Sequence, residues 1–308
     1  MGIVIRGWGS ALPEKVVTNA DFASRLDTSD EWIVERTGIR ERRFGGSTGT
    51  LAVEAGQQAI DQAGILAETI DIVLLATSTP DQIMPATSAY VQDALGCGGG
   101  ALDVNAACSG FVYAFVTAAG LCEIGASRVL AIGSDVMSRI TDQDDRGTAI
   151  LFGDGAGAVV VDRVDGPGNL LAWDLGADGS LRHILQCDTG SFTQMNGKEV
   201  FRQAVRVVVD SVGAALERAG VQAADVALFV PHQANVRIVD SVCQRLGIPV
   251  ERTAIVLDRT GNTSAASVAI ALADAANAGR LADGDIVVLC GFGAGMTWAT
   301  AVLRWGPA

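Results

Sequence analysis

The sequence predicts an α/β fold made of two similar halves, each a mostly parallel sheet covered by helices. Strand and helix patterns alternate along the chain, and this alternation is typical of parallel sheets. The segment at 59–78 (AIDQAGILAETIDIVLLATS) resembles 214–232 (AALERAGVQAADVALFVPH), since each reads as helix, Ala-Gly stop, acidic link and apolar strand. A second match pairs VLAIG at 129–133 with VVLCG at 287–291. Duplication of one architecture is the simplest explanation.

The boundary between the halves is expected at the strongest turn cluster in the middle of the chain. This cluster is Asp165-Gly166-Pro167-Gly168, in which glycine and proline interrupt regular structure. We therefore predict an N-terminal half at 1–166 and a C-terminal half at 167–308.

Composition and charge restrict the classes of function. A chain of 308 residues with 49% hydrophobic content can bury a large core. Its net charge of -13 argues against binding to nucleic acid or to an anionic membrane surface. Six cysteines show neither a C-x-x-C pair nor metal-ligand spacing, which favours a reduced, cytoplasmic protein without a metal site. The first residues, MGIVIRGWGS, enter a strand pattern directly, so no secretion signal is expected.

The first predicted elements follow the periodicity of apolar residues. Ile3 to Gly9 reads as a strand, and Ala11 to Val17 as an extended connection. Thr50 to Gly64 has the period of a helix, and Asp71 to Thr77 (DIVLLAT) reads as a buried strand.

A short helix is predicted between the first strand and these elements. Thr28 followed by Glu31 forms a capping box, so the helix should start there and run to Gly38. Trp32 and Arg36 are four residues apart and share one face. They can present an indole and a guanidinium to a nucleotide, or they can be a half-buried tryptophan beside a solvated arginine.

The stretch from 101 to 122 (ALDVNAACSGFVYAFVTAAGLC) contains the candidate nucleophile. Ala101 to Val104 reads as the end of a buried strand, and an uncharged helix begins at Ser109, which leaves Cys108 at the junction. The N-terminus of a helix favours a thiolate, and the thiolate is the nucleophilic form of cysteine. Two alternatives are an inert buried thiol and a membrane span, because 104–122 carries no charge.

The repeat predicts which residues meet this cysteine. Aligning Asp71 with Asp225 pairs Cys108 with Asn262 and sets His232 at an equivalent strand end. In α/β sheets, catalytic groups gather at the carboxyl ends of strands. If the halves face each other about a pseudo-twofold axis, the thiol, imidazole and carboxamide converge.

Three motifs of the C-terminal half support this convergence. His232 lies in FVPHQAN directly after a strand, whereas the other histidine, His183, reads as a surface residue. Asn262 lies in RTGNTSAAS before a helix, where a plain N-cap is the alternative. The loop CGFGAGMTW at 290–298 can aim a backbone N–H at an oxyanion, or it can be a packing turn.

Read together, these motifs resemble β-ketoacyl-acyl carrier protein synthase III (KAS III) of the thiolase superfamily. The resemblance runs from Gly7 to Trp305 through DTSDEWI, RTGIRER, AACSGF, DRGT, FGDGAGA, VPHQAN, LDRTGNTSAAS and GFGAGMTW. It implies a thiolase-like fold, in which two pseudo-twofold-related βαβαβαββ halves form a five-layered αβαβα sandwich.

The resemblance also implies a role for individual residues. It assigns a catalytic triad, an oxyanion hole from two backbone N–H groups, and contacts to coenzyme A (CoA). The triad is Cys108, His232 and Asn262; the oxyanion donors are Cys108 and Ala294; the CoA contacts are Thr28, Trp32, Arg36, Arg146, Phe201 and Asn235. Contacts to the carrier protein are expected from Arg202, Arg237 and Arg245, although Gln244 stands where relatives often have a basic residue.

The implied reaction joins an acyl-CoA to malonyl-acyl carrier protein (malonyl-ACP) without cofactor or metal, and starts fatty-acid synthesis. The family is a homodimer in which a loop of one subunit closes the acyl pocket of the other, and Met84 occupies that loop. Other readings remain open: a starter enzyme or acyltransferase of a polyketide pathway, a thiolase using Cys290 as base, an elongating synthase, or a silent dimeric scaffold.

Overall fold

The computed structural model describes residues 2–307, which form two large sheets, two small two-stranded sheets and the helices that cover the large sheets. The strands are β1 (Gly2–Ala11), β2 (Val16–Thr18), β3 (Glu41–Arg43), β4 (Ile72–Ala76), β5 (Gly100–Val104), β6 (Arg128–Val136), β7 (Asp154–Val164), β8 (Leu170–Ala177), β9 (Leu185–Gln186), β10 (Gln194–Met195), β11 (Val226–Pro231), β12 (Ile286–Gly293) and β13 (Thr297–Arg304). The helices are α1 (Asn19–Ala23), α2 (Asp30–Thr37), α3 (Thr48–Ala63), α4 (Thr87–Leu95), α5 (Gly110–Glu123), α6 (Arg146–Ala149), α7 (Gly197–Ala219), α8 (Val236–Leu246), α9 (Leu257–Thr260) and α10 (Ala266–Asn277). Short 3₁₀ turns lie at Ala67–Thr69, Ala107–Ser109, Met137–Ile140, Gly179–Ile184, Ala223–Asp225 and Val250–Arg252.

The two large sheets have matching strand orders. The first is β1-β7-β6-β4-β5 and the second, read from its equivalent edge, is β8-β13-β12-β11. The predicted boundary turn lies between β7 and β8, where the chain passes from one sheet to the other. The prediction of mostly parallel sheets is wrong, because each half ends in two consecutive strands, β6-β7 and β12-β13, that pair antiparallel. Parallel pairs occur only where a helix connects the strands.

Helices α5 and α10 form the middle layer between the sheets. Side chains of both helices share one hydrophobic core with residues from both sheets, and Phe111 and Phe115 of α5 are fully buried in it. A helix covered on all sides is apolar all round, which explains the uncharged run. Helices α3 and α4 cover the outer face of the first sheet, and α7 and α8 that of the second. Within residues 2–307 no helix is long and apolar enough to cross a membrane.

The two halves are less alike at one edge than the repeat predicts. Strand β5 closes the first sheet, but its counterpart in the second is reduced to one bridge between Phe229 and Thr253. Strand β5 is also not buried as predicted, since it is an edge strand and Leu102 is 44% exposed.

The predicted cap of α2 is displaced by one residue. Ser29, not Thr28, is the N-cap, and its side chain accepts a hydrogen bond from the Trp32 backbone N–H. The Thr28 hydroxyl is buried without a hydrogen-bond partner, so no capping box with Glu31 forms. The predicted end is right, because Gly38 adopts a left-handed conformation with φ of 82°.

Close packing of α10 on the first sheet depends on glycines in that sheet. A Cβ atom on Gly157 would lie 2.6 Å from the Ala269 Cβ and the Ile270 backbone N. We expect Gly157→Ala to lower the free energy of unfolding by about 1–3 kcal/mol, because the overpacked layer must shift. Urea unfolding at fixed protein concentration measures this change.

Gly213→Ala is the matched control. Gly213 lies inside α7 with nothing within 4 Å of the added Cβ, so alanine should stabilise the helix by up to about 1 kcal/mol. Equal unfolding midpoints for the two variants would contradict the packing of α10 described above.

Candidate active site

The ends of the central strands surround a cavity of about 500 Å³. The predicted triad, Cys108, His232 and Asn262, contributes to its lining together with Phe292 and Gly293. The residues come from both halves, since Cys108 precedes α5, His232 follows β11 and Asn262 follows α9. Phe292 and Gly293 are the last two residues of β12. The convergence that the repeat predicts is therefore present. A groove of similar volume beside Trp173 contains none of the predicted site residues.

The turn that carries Cys108 packs directly against the glycine loop. A Cβ atom on Gly293 would lie 2.5 Å from the Cys108 backbone N, and one on Gly291 would lie 2.7 Å from the Ser109 Cα. Only glycine permits two backbones to approach this closely. The packing-turn interpretation of this loop is thus correct, and it is compatible with an oxyanion role.

Hydrogen bonds of two hydroxyl groups connect this turn to the glycine loop. Ser109 Oγ donates to Thr297 Oγ1 (2.9 Å), and the Thr297 hydroxyl lies 3.1 Å from the Ala294 carbonyl oxygen. Ala294 directly follows Gly293, the last residue of β12. The backbone N–H groups of Cys108 and Ala294 remain the predicted oxyanion donors.

The electrostatics of Cys108 do not favour a thiolate at rest, contrary to the sequence expectation. Burial raises the pKa of the thiol to about 12, while a hydrogen bond with Ser264 lowers it and the charge of Asp135 raises it. The positive end of a helix stabilises a thiolate by at most about 2 kcal/mol, which lowers the pKa of the thiol by roughly 1.5. Desolvation is therefore the larger effect, and the resting residue is a thiol.

His232 is a buried imidazole that is neutral at physiological pH. It is 2% exposed, and burial lowers its pKa to about 3. Nδ1 lies 2.6 Å from Ser267 Oγ, and the Gln233 backbone N–H also donates to that oxygen (3.4 Å). In the tautomer in which the Ser267 hydroxyl donates to Nδ1, the imidazole proton lies on Nε2. Phe292 packs edge-on against the ring with centroids 5.1 Å apart.

The Asn262 carboxamide is held in one orientation. Its Oδ1 accepts the Ser264 backbone N–H (2.9 Å), and its backbone N–H donates to the Leu151 carbonyl (2.9 Å). Nδ2 is therefore the end with hydrogens to offer in the cavity. The N-cap alternative is wrong, because Ala265 is the N-cap of α10 and makes no side-chain cap bond.

The mouth of the cavity carries an aromatic ring close to two guanidinium groups. The Arg36 and Arg146 guanidinium carbons lie 5.7 Å and 5.0 Å from the Trp32 ring centroid. Of the residues predicted to contact CoA, Trp32, Arg36, Phe201 and Asn235 line the cavity. Arg146 itself does not, although the next residue does, and Thr28 is absent from the lining.

The residues predicted to contact the carrier protein differ in position. Arg237 lines the cavity and stacks 5.9 Å from the Phe201 ring centroid. Arg202 and Arg245 lie outside it, and Arg202 pairs with Glu199 (2.5 Å). Met84 is 83% exposed and is not part of this chain's cavity.

The residues that a thiolase or an elongating synthase would need do not line the cavity. Cys290 is buried within β12 and accepts from Thr300 Oγ1 (3.4 Å), and burial raises its pKa to about 12. His183 is exposed on the 3₁₀ turn Gly179–Ile184, as the sequence suggested. Within residues 2–307, no group of three or more His, Cys, Asp or Glu side chains could hold a metal ion.

Sequence reasoning missed three polar residues beneath the cavity: Asp135, Ser264 and Ser267. All three are buried. Ser267 Oγ lies 2.6 Å from His232 Nδ1, the Ser264 backbone N–H donates to Asn262 Oδ1, and Asp135 Oδ2 accepts the Ala265 backbone N–H. A weak signal existed, because each is a polar residue in an otherwise small or apolar segment (AIGSDV and NTSAASVAI).

Comparison with known proteins identifies the class. Two family models match: the 3-oxoacyl-[acyl-carrier-protein (ACP)] synthase III model at 102–179, and its C-terminal model at 216–305. A β-ketoacyl-[acyl-carrier-protein] synthase III of Erythrobacter litoralis is 50% identical, and the match covers 98% of each chain. The crystal structure of 3-oxoacyl-[acyl-carrier-protein] synthase III from Aquifex aeolicus VF5 superposes with a TM-score of 0.97 at 42% identity, over 99% of this chain and 100% of that one.

A priming β-ketosynthase from the R1128 polyketide biosynthetic pathway is also similar. It has a TM-score of 0.94 and 36% identity, and the match covers 99% of this chain and 96% of that chain. The chain is accordingly an acyltransferase with the thiolase fold. It belongs to the β-ketoacyl-[acyl-carrier-protein] synthase III family, which confirms the predicted family, fold class and type of enzyme.

The raised pKa of Cys108 gives a direct prediction. Below pH 12 the thiolate fraction, and with it the alkylation rate by iodoacetamide, should rise about tenfold per pH unit. Peptide-resolved mass spectrometry from pH 7 to pH 9 measures Cys108 separately from the exposed Cys187. A rate that is already constant near pH 7 would show a resting thiolate and would contradict the dominance of burial.

Proposed function

We propose that the chain catalyses a ping-pong decarboxylative condensation of an acyl-CoA primer with malonyl-ACP. The products are a 3-oxoacyl-ACP, free CoA and CO₂, and the reaction initiates fatty-acid biosynthesis. The observation that carries this proposal is the shared cavity of Cys108, His232 and Asn262 in a chain of this family. An acetyl or a short or branched acyl group is the expected primer.

The first half-reaction transfers the acyl group to sulfur. Cys108 Sγ attacks the thioester carbonyl, the C–S bond to CoA breaks, and the thiol proton leaves with CoA as its free thiol. The backbone N–H groups of Cys108 and Ala294 are the proposed donors to the tetrahedral oxyanion. The close contact of Gly293 with the Cys108 backbone supports this pairing, because it brings the two backbone segments together.

The second half-reaction needs hydrogen-bond donors that stay neutral. Loss of CO₂ from the malonyl thioester leaves an enolate, whose oxygen accepts from His232 Nε2–H and Asn262 Nδ2–H. The enolate carbon then attacks the acyl-Cys108 carbonyl, the bond from that carbon to Cys108 Sγ breaks, and the released thiolate takes a proton from solvent to restore the thiol. The low pKa of His232 supports this role, since the imidazole keeps a single proton through the whole physiological range.

The mouth of the cavity suits a nucleotide with phosphates. Trp32 offers a flat face to the adenine, and Arg36 and Arg146 beside it offer charge to the phosphates. Phe201 and Asn235 are proposed to contact the pantetheine arm, which both substrates share. Thr28 is also proposed to contact CoA. Its hydroxyl is buried, and the residue does not line the cavity.

The carrier protein, the dimer and the cytoplasmic location are also part of the proposal. Arg202, Arg237 and Arg245 would contact the acidic carrier protein near the mouth of the cavity.

Exposed apolar side chains in the N-terminal half support a second subunit there. Their exposed fractions are 90% for Ile83, 83% for Met84, 50% for Tyr90 and 44% for Leu102. In such a dimer Met84 would close the partner's acyl pocket. Six free cysteines support a reducing compartment.

A starter role in a polyketide pathway is the second candidate. It is favoured by the likeness to the R1128 priming β-ketosynthase. The same triad serves both roles, so the carrier protein that supplies the malonyl group decides between them. Product analysis with carriers from both pathways would separate the candidates.

The three residues of the triad should act in different half-reactions. Cys108→Ala should abolish the acyl adduct, because it removes the nucleophile. His232→Ala and Asn262→Ala should keep the adduct but slow decarboxylation by about 100- to 1000-fold, the usual cost of one lost donor to an oxyanion. Intact-mass spectrometry with acetyl-CoA, followed by CO₂ release from malonyl-ACP, measures both steps.

Cys187→Ala is the matched control, because this cysteine is exposed and outside the cavity. It should acylate at the rate of the unmodified protein. An adduct of unchanged yield in Cys108→Ala would refute the assignment of the nucleophile.

The tryptophan at the mouth should act on substrate binding. Trp32→Ala should raise the KM for acetyl-CoA by about tenfold and leave kcat within about twofold, since stacking contributes equally to substrate and transition state. Steady-state kinetics over a range of acetyl-CoA concentrations gives both constants. Arg6→Ala, which removes a surface arginine paired with Asp162, should change neither. A fall in kcat alone would contradict a binding role for Trp32.

A further inference from the structure

A serine that the reaction scheme does not use lies behind His232. Ser267 is the second residue of α10 and is 1% exposed. Its Oγ lies 2.6 Å from His232 Nδ1. His232 lines the cavity and Ser267 does not, so Nδ1 is turned away from the cavity. Nε2 is therefore the ring nitrogen that can face a substrate.

The hydrogen bonds around Ser267 Oγ favour one direction for this contact. A serine hydroxyl has one hydrogen to donate and two lone pairs that can accept. The Gln233 backbone N–H donates to this oxygen in a longer bond of 3.4 Å. Among residues 2–307, the one acceptor that the Ser267 hydroxyl meets is His232 Nδ1. If Nδ1–H donated to Ser267 instead, the buried serine hydrogen would have no acceptor, which is the costly arrangement.

Other contacts fix the backbone and one side of the ring. The His232 backbone N–H donates to the Cys290 carbonyl (2.7 Å), and Phe292 packs edge-on against the imidazole. The Gln233 side chain is fully buried and holds the next residue of the chain through four bonds to backbone groups. Its Nε2 donates to the carbonyls of Pro231 (2.7 Å) and Ala254 (3.1 Å), and its Oε1 accepts from the N–H groups of Val256 (3.0 Å) and Leu257 (3.3 Å). Ser267 is thus the group that meets a nitrogen of a ring already held in place.

We propose that Ser267 is a positioning residue that holds the proton of the His232 imidazole on Nε2. Its hydroxyl donates to Nδ1, so Nδ1 acts only as an acceptor, and the single proton of the neutral ring stays on the nitrogen that faces the cavity. His232 then offers a hydrogen to the enolate oxygen when negative charge develops there. Ser267 acts through His232 and contacts no substrate. This inference rests on the proposed function, in which His232 donates to the enolate.

Nuclear magnetic resonance of the ring nitrogens tests the proposal without a substrate. The chain has two histidines, so protein with isotope-labelled histidine gives ring signals from His232 and from the exposed His183 alone. In the unmodified protein we expect the His232 proton on Nε2 and an unprotonated Nδ1. In Ser267→Ala the donor to Nδ1 is lost, so a population with the proton on Nδ1 should appear, while the signals of His183 stay unchanged.

The same variant should slow one half-reaction. Release of CO₂ from malonyl-ACP should fall about tenfold in Ser267→Ala, which is the effect of one hydrogen bond of ordinary strength. The loss should be smaller than in His232→Ala, because the ring remains. Acylation of Cys108 by acetyl-CoA, followed by intact mass, should stay within about twofold. Adding Ser267→Ala to His232→Ala should change CO₂ release by less than about twofold, because the effect of the serine passes through the imidazole.

Ser211→Ala is the matched control. Ser211 is a buried serine of α7 whose hydroxyl lies 2.8 Å from Thr300 Oγ1, outside the cavity. This variant loses a buried hydroxyl contact of similar length, so a general effect of lost stability would appear in both variants. Ser211→Ala should leave the ring protonation of His232 unchanged and both half-reactions within about twofold.

Three results would overturn the proposal. They are a proton on Nδ1 of His232 in the unmodified protein, full retention of the Nε2 proton in Ser267→Ala, and an equal loss of both half-reactions in that variant. If the unmodified protein released no CO₂ from malonyl-ACP, the proposed function would fail. The ring protonation of His232 in the unmodified protein and in Ser267→Ala would then still decide the role of Ser267.

Discussion

The active site depends on one contact, the approach of the Gly291 to Gly293 backbone to the turn that carries Cys108. No Cβ atom fits at either glycine without displacing that turn. Because the turn belongs to the N-terminal half and the loop to the C-terminal half, this contact fixes how the two sheets meet. The layer of α5 and α10 behind it then sets the distance between the sheets. The position of His232 and Asn262 relative to the sulfur follows from that packing.

Burial determines the protonation states of Cys108 and His232 beside this contact. It keeps the Cys108 thiol protonated and the His232 imidazole neutral, so the resting site holds no ion pair between them. A site of this kind is suited to negative charge that appears only during reaction, first on a tetrahedral intermediate and then on an enolate. Preoriented neutral donors stabilise such charge without a permanent counter-ion. The buried carboxyl group of Asp135 accepts hydrogen bonds from residues that do not line the cavity.

The fold class, the family and the convergence of the triad could be predicted because they leave periodic or motif signals in the sequence. The repeat aligns Cys108 with Asn262, and both residues line the same cavity. The cap of α2 was misplaced by one residue, since Ser29 and Thr28 are equally good caps locally and only packing selects between them. Ser267 was missed because its importance comes from its contact with His232, which is 35 residues away in the sequence.

A crystal structure of the protein after exposure to acetyl-CoA would test the central claim most directly. The account predicts acetyl density continuous with Cys108 Sγ, a carbonyl oxygen between the backbone N–H groups of Cys108 and Ala294, and the imidazole of His232 and carboxamide of Asn262 facing the same acetyl group. Acetyl density on another residue, or an imidazole separated from the Cys108 sulfur by more than the width of a substrate, would contradict it.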